Sequence, residues 1–300
     1  TIQKYPESRY LANGYYQSGY LKFKMGRYKE ALNDFRKVKT IPEASERLLI
    51  ATQNMIGQSL RYMGRKDEAI SAFGELARMT DEVNIIESFQ NRSFKKEMAL
   101  AAHVYKAELY TEKSIYDQAI REYEQFISLK PSGDKYTGNE GLENIGGTGL
   151  GEAGALERIA ELYLKNGKTK EAIDIYSRLL KEYPSYEKAT VVAYEKAKLL
   201  HESEKDDAIF LIALESIIKV YPTSPYLGII RYNLGIEYQE KNEPEKAVEQ
   251  YRAIISDTQT ERFYPTIYQE AMLRLGIILG EEKQYEEAFK HLEILITKYA

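Results

Sequence analysis

The chain has no cysteine and no tryptophan, and only three histidines in 300 residues. Without cysteine there is no disulfide, no thiolate metal site and no cysteine nucleophile. Neither sign of charge dominates. The formal net charge is −4, which lacks the strongly basic footprint of a nucleic-acid binder. No apolar run approaches the roughly 18–20 residues that span a bilayer, and no signal peptide is visible. Thr1 is not an initiator Met, and Thr1-Ile2-Gln3-Lys4-Tyr5-Pro6 reads like the tail of an earlier helix. The expectation is a piece whose true N-terminus, with any export signal, lies further upstream.

What is present is ordinary in amount and unusual in kind. Hydrophobic residues make up 43% and charged residues 29%, a globular balance. Among the aromatics are 26 Tyr and 9 Phe. Tyrosine, apolar in body and polar at its tip, suits half-buried surfaces.

One pattern recurs along the chain. A small residue is followed by an aromatic or apolar one, then a Gly/Asn/Lys turn, then Ala, then an aromatic four residues later, often with Pro beyond. Six good copies carry it. The first has Gly19, Gly26, Ala31, Phe35 and Pro42, and the second Gly57, Gly64, Ala69 and Phe73. The third has Ala107, Tyr110, Ala119, Tyr123 and Pro131, and the fourth Ala160, Tyr163, Gly167, Ala172, Tyr176 and Pro184. The sixth has Gly235, Tyr238, Ala247 and Tyr251, and the seventh Gly276, Tyr285 and Ala288, with Leu292 in the aromatic slot. The fifth is degenerate, with Ala197, Ala208 and Tyr221-Pro222.

The physics is that of two antiparallel helices per copy. Small residues let backbones approach, and the aromatic fills the space beside them on the same helical face. Gly or Asn between the helices supplies a left-handed cap. Pro after the second helix stops it.

These residues resemble the tetratricopeptide repeat over nearly the whole chain. The resemblance implies an all-α fold, a right-handed α-solenoid of about seven helix pairs. There are departures. The aromatic that opens the first helix is Tyr15 in copy one but His103 in copy three. The key Ala residues are 38, 50, 53, about 38, about 38 and 41 apart, against about 34 in the family. The excess falls mainly in two insertions. The first, about Met79 to Met98, contains Ile85, Ile86, Phe89 and Phe94 and reads as lengthening the flanking helices. The second, 131–155, follows the third pair and is too rich in glycine to hold helix well. It reads as a flexible surface loop between an N-terminal array, 1–130, and a C-terminal array, 156–300. Within the first array, the first ten residues would close a preceding repeat.

Chemistry-bearing patterns are sparse. Gly149, Gly151 and Gly154 match G-x-G-x-x-G, but no strand precedes them and no βαβ unit is present, so a phosphate site lacks its context. His103, His201 and His291 lie in different repeats, and in a solenoid each repeat touches only its neighbours. They read as packing histidines. Glu281-Glu282 and Glu286-Glu287 read as a solvated face. No catalytic, cofactor or metal residues are assigned, and the expectation is a chain that is not an enzyme.

In the proteins this chain resembles, the first helix of each pair lines a groove. The groove candidates here are Tyr16, Tyr20 and Phe23, then Asn54 and Gln58, Val104 and Glu108, Glu157 and Glu161, Tyr232 and Ile236, and Leu273 and Ile277. The front is aromatic, the middle acidic and the back apolar. Family members that clamp a peptide carboxylate place Lys and Asn there, and Asn54 stands alone. The expected partner is therefore another protein's apolar or helical segment, with no nucleic acid, no membrane span and no cofactor. Tyr5-Pro6, Tyr183-Pro184-Ser185 and Tyr221-Pro222-Thr223-Ser224 are similar to junctions in bacterial extracytoplasmic repeat lipoproteins. That likeness implies a scaffold in a periplasmic or envelope complex, held by a lipid anchor not contained in this sequence. Two other readings stand beside it. A ring- or filament-forming subunit is suggested by the apolar last helix, with Phe289, Leu292, Leu295 and Ile296. A nucleotide-binding enzyme would use the Gly-rich insertion.

Overall fold

The computed structural model describes residues 10–81, 89–129 and 150–299. Among these residues there are fifteen α-helices and no strand. Fourteen of the helices form seven consecutive pairs. The first three pairs are α1 (Leu11–Lys24) and α2 (Tyr28–Val38), α3 (Glu46–Tyr62) and α4 (Lys66–Asp81), and α5 (Phe89–Glu112) and α6 (Tyr116–Ser128). The next two are α7 (Glu152–Lys165) and α8 (Thr169–Glu182), and α9 (Ala189–Glu204) and α10 (Asp207–Val220). The last two are α11 (Leu227–Glu240) and α12 (Pro244–Ile255), and α14 (Pro265–Glu281) and α15 (Tyr285–Tyr299). The additional helix, α13 (Thr258–Phe263), is short and sits between the last two pairs. The all-helical array of seven pairs is the one the repeat implied.

Each pair turns in the same way. A residue one or two places beyond the first helix has positive φ in all seven: Gly26, Gly64, Ser114, Gly167, Lys205, Asn242 and Lys283. Most of these turns are Schellman closures. The Arg27 N–H reaches back to the Lys22 carbonyl at 2.9 Å, and the Arg65 N–H to the Leu60 carbonyl at 3.0 Å. The left-handed conformation satisfies helix-end carbonyls that would otherwise be orphaned.

Within a pair, a glycine of the first helix faces a large side chain of the second. A Cβ on Gly19 would lie 2.8 Å from the Phe35 ring, on Gly57 2.5 Å from Phe73, on Gly235 2.6 Å from Tyr251, and on Gly276 2.7 Å from Leu292. These rings are fully buried.

The chain divides into two compact units, 1–175 and 176–300. In the first, α2 packs on α3, α4 on α5 and α6 on α7. One cluster gathers Phe35, Ile50, Phe73, Leu76 and Leu109, and a second gathers Val104, Tyr123, Phe126 and Ile159. In the second unit, a single cluster runs from Phe210 and Leu214 through Leu234 and Tyr251 to Leu275 and Leu279.

Several expectations need adjustment. The 131–149 part of the Gly-rich stretch lies outside the described residues. α7 already begins at Glu152, with Gly151 as its N-cap, and the compact units part after Ile175. Residues 82–88 of the first insertion also lie outside, while α5, at 24 residues, is the longest helix described. The degenerate fifth copy folds as a full pair, but Ala208 is not its packing residue. It sits exposed in the first turn of α10, where Asp206 caps the helix by accepting from the Ala208 N–H at 2.9 Å. Phe210 and Leu214 fill the interior instead.

Two stability predictions follow from this geometry. Gly57→Ala should destabilise by about 1–3 kcal/mol, because its methyl lands on the Phe73 ring. Gly74→Ala, on α4 with open space where its Cβ would go, should stabilise by about 0.5–1 kcal/mol through helix entropy. Urea denaturation of the pair separates the two signs. At the turns, Ser114→Gly and Lys283→Gly should each raise stability by about 0.5–1 kcal/mol by relieving a left-handed side chain. Asn242→Gly should gain less, since Asn tolerates that region.

Candidate functional site

The first helices of the pairs present a continuous face within each unit. In the first unit the candidate residues sit on α1, α3, α5 and α7. Tyr16 is half-buried, its ring 5.8 Å from Phe35. Burial, with Tyr20 nearby adding to it, pushes the Tyr16 phenol above its ordinary pKa. Tyr20 stays exposed, with Lys24 Nζ 5.6 Å from its ring centre. Phe23 joins three helices: its ring meets Tyr28 edge-on at 5.3 Å and Tyr62 at 5.4 Å. Tyr28 and Tyr62 stack at 5.0 Å. Tyr62, itself largely exposed, was not among the candidates. Its position one turn beyond Gln58 on the same helix face was the available signal.

Gln58 hydrogen-bonds the Tyr105 phenol. Asn54 is half-buried, and its Oδ1 has no hydrogen-bond partner. Val104 does not belong to this face. It is buried in the cluster that α5 forms with Ile120 and Phe126 of α6 and Ile159 of α7.

The expected acidic middle is in fact charge-balanced. Glu108 Oε2 lies 2.6 Å from Arg61 Nη2, off the direction of any guanidinium N–H, so it makes an ion pair without a directed hydrogen bond. Glu161 accepts from Arg158 at 3.0 Å, and Glu157 lies close enough to Arg158 to act on its charge. Arg61, Glu108, Glu112, Tyr123, Arg158, Glu161 and Lys165 line a cleft of about 250 Å³. Arg158 and Lys165 lie one turn from Glu161 on α7, whereas Arg61 comes from α3 to meet Glu108 on α5. At its base, burial pushes the Tyr123 phenol up to about 12, and Glu108 adds to the effect.

In the second unit, Tyr232 and Ile236 lie four residues apart on α11, and Leu273 and Ile277 four apart on the adjoining α14. Tyr232 and Ile236 are half-buried, whereas Leu273 is 38% and Ile277 47% exposed. The two pairs form an apolar strip with one polar fixture. Arg274 lies over the Tyr232 ring at 5.6 Å, donates from Nε to its hydroxyl at 3.2 Å, and donates to Gln239 Oε1 at 3.3 Å. Sequence reading missed Arg274. It occupies the same repeat position as Arg158, two before the small residue, and that recurrence was its signal.

The histidines are held apart by the fold. His103 Nδ1 is 2.7 Å from Glu122, which also takes Lys106 at 2.6 Å. Burial alone would raise the Glu122 carboxyl, but hydrogen bonds from His103 and Lys106 outweigh it and hold the group below its usual range. His201 stacks on Phe210 at 4.8 Å, and His291 lies 3.7 Å from Glu287. Among the described residues no group of three or more His, Asp or Glu is placed to hold a metal ion. Of the glycine motif, Gly151 is the N-cap of α7 and Gly154 lies inside that helix, while Gly149 lies outside the described residues.

Models of the tetratricopeptide repeat match residues 12–44, 54–134, 155–186 and 270–300, together more than half of the chain. The chain belongs to the tetratricopeptide repeat family. Solved structures of tetratricopeptide proteins are similar to it. One, from Parabacteroides merdae ATCC 43184, is 13% identical, covers 96% of this chain and 93% of its own, and has a TM-score of 0.45. YrrB, described as having an unusual peptide-binding site, is 14% identical over 73% of this chain and 90% of its own, with a TM-score of 0.40. MamA is 18% identical over 64% of this chain and 93% of its own, with a TM-score of 0.39. No curated protein matches the chain in sequence. Among the described residues, no tetratricopeptide helix is long and apolar enough to cross a membrane.

The Tyr123 phenol gives this family member a pH signature. Below pH 10 the phenol is neutral in both the folded and the unfolded chain. Between about 10 and about 12 the unfolded chain loses this proton while the fold retains it, so stability falls across that window. Tyr123→Phe should make the alkaline loss of helix less steep there, as followed by circular dichroism.

Proposed function

We propose that this protein is an interaction scaffold whose strip on α11 and α14 docks an amphipathic helical or apolar segment of another protein. One observation carries the reading: two adjoining first helices each carry a four-spaced apolar pair, exposed on α14 and half-buried beside it on α11. Tyr232 and Ile236 supply one wall, Leu273 and Ile277 the other. Apolar anchors at i and i+4 on the incoming helix suit such a strip. Arg274 is held over Tyr232, at the edge of the strip, and would take an acidic or carbonyl group of the partner. The Tyr-Pro junctions support a place within a bacterial envelope complex.

Selection of a displayed peptide library against the full chain tests the main claim. Enriched peptides should be amphipathic, with an acidic residue beside the apolar stripe. Ile277→Asp should weaken the best of them by about tenfold or more, as hot-spot losses do. Ile212→Asp, at an exposed site on α10, should leave binding unchanged. Undiminished binding to Ile277→Asp, in a variant of native helix content, would refute the reading.

A further inference from the structure

The second helix of the fifth pair, α10, carries more apolar side chain than its packing uses. Eight of its fourteen residues are Ile, Leu, Phe or Val. α9 and α11 both pack on it, and Phe210, Leu214 and Ile217 are buried among them. On the opposite face Ile212 is 62% exposed, Val220 60% and Ile209 40%.

That face has an internal order. Ala208, Ile212, Ser216 and Val220 are all exposed and stand four residues apart, the spacing that makes a ridge along a helix. Small and large side chains alternate along the ridge. Such a row fits itself when turned end for end: Ile212 meets Ser216, and Val220 meets Ala208. In parallel alignment each large residue would meet its own copy.

Charge follows the same reversal. Around the N-terminal end of α10, Glu202, Glu204, Asp206 and Asp207 are exposed, against the single exposed cation Lys205 and the half-buried His201, 3.6 Å from Asp207. Near the C-terminal end the face carries Lys219, exposed and without an ion-pair partner among the described residues. Glu215, on the flank toward α11, is engaged by the Tyr238 hydroxyl.

We propose that α10 is a self-association face, on which the α10 helices of two copies pack antiparallel across a two-fold axis. The alternating ridge supplies the fit. Lys219 of each copy lies beside the acidic N-terminal end of the other, and the two helix dipoles oppose. The charges fix the alignment more than the strength. Such an interface is isologous and closes at two copies. One helix per copy, about 21 Å long, places it at the small end of interface sizes, so the dimer is weak and forms as concentration rises.

Sedimentation of the full chain over a concentration series should show a monomer passing to a dimer and to nothing larger. Ile212→Asp and, separately, Val220→Asp should stay monomeric with native helix content. Because the chain has no cysteine, introduced thiols report the alignment. Ala208→Cys and Val220→Cys chains, mixed and oxidised, should form the mixed disulfide dimer. Ala208→Cys alone should not cross-link, since its two copies lie about 18 Å apart along an antiparallel pair. A native chain monomeric at its highest soluble concentration would overturn the proposal and leave the face to a different partner. Assembly beyond the dimer would overturn it too, as would an Ile212→Asp chain that associates as the native chain does. Efficient cross-linking of Ala208→Cys with itself would make the pair parallel and equally refute it. Ile212→Asp leaves the α11–α14 strip intact and should still bind the selected peptides, so the two proposals fail independently.

Discussion

Four of the seven pairs close over a missing methyl. Where Gly19, Gly57, Gly235 and Gly276 lack a Cβ, a ring or a leucine from the second helix of the pair occupies the space. Glycine inside a helix costs about 0.5–1 kcal/mol relative to alanine, and burying a phenylalanine contributes about 1.5–3 kcal/mol. The second term wins, so the local weakness is retained for the sake of the contact. The consequence extends beyond the pair. Once the ring fixes the distance and rotation of the two helices, the residue after the key Ala is turned toward the next repeat. The first helices are left with one face uncovered. Groove and joint are both by-products of that close approach.

The pairs were legible in sequence because the approach demands particular residue types. Gly or Ala in one helix and an aromatic in the next form a pattern that repeats. Gly26, Gly64 and Gly167 likewise announced their turns, since glycine enters the left-handed region without strain. Ser114, Lys205 and Lys283 adopt the same conformation but carry no such signal. There the tertiary packing of the pair imposes the turn and the side chain bears the strain. Ala208 misled for the converse reason. It has the right residue type, but the Asp206 cap sets the start of α10 and leaves it in the exposed first turn. α13 escaped notice because six residues are too few to show a period.

The candidate site was legible in outline and less so in chemistry. Position within the repeat selected Tyr20, Leu273 and Ile277, and all three are exposed. It also selected Val104, which is buried in the cluster shared by α5, α6 and α7. The acidic middle failed because sequence position shows the carboxylates of one helix but not the arginines that neighbouring helices bring to them. Arg61 reaches Glu108 from a different repeat, and that pairing exists only once the helices are stacked. Partner-facing charge is thus a tertiary property, whereas partner-facing apolarity survives from the helical period alone.

This difference separates the roles of the two kinds of surface. Exposed ion pairs contribute little net stability, with a median of about 0–1 kcal/mol. The charge-lined cleft between Arg61 and Lys165 therefore adds little to holding the first unit together. The apolar strip has the opposite character. Leu273 and Ile277 gain from any covering that removes them from water, at roughly 25 cal/mol per Å², whatever the covering's detailed sequence. One repeat chemistry can accommodate both because the glycine–ring contact uses only the inner faces of each pair, leaving the outer positions free to differ.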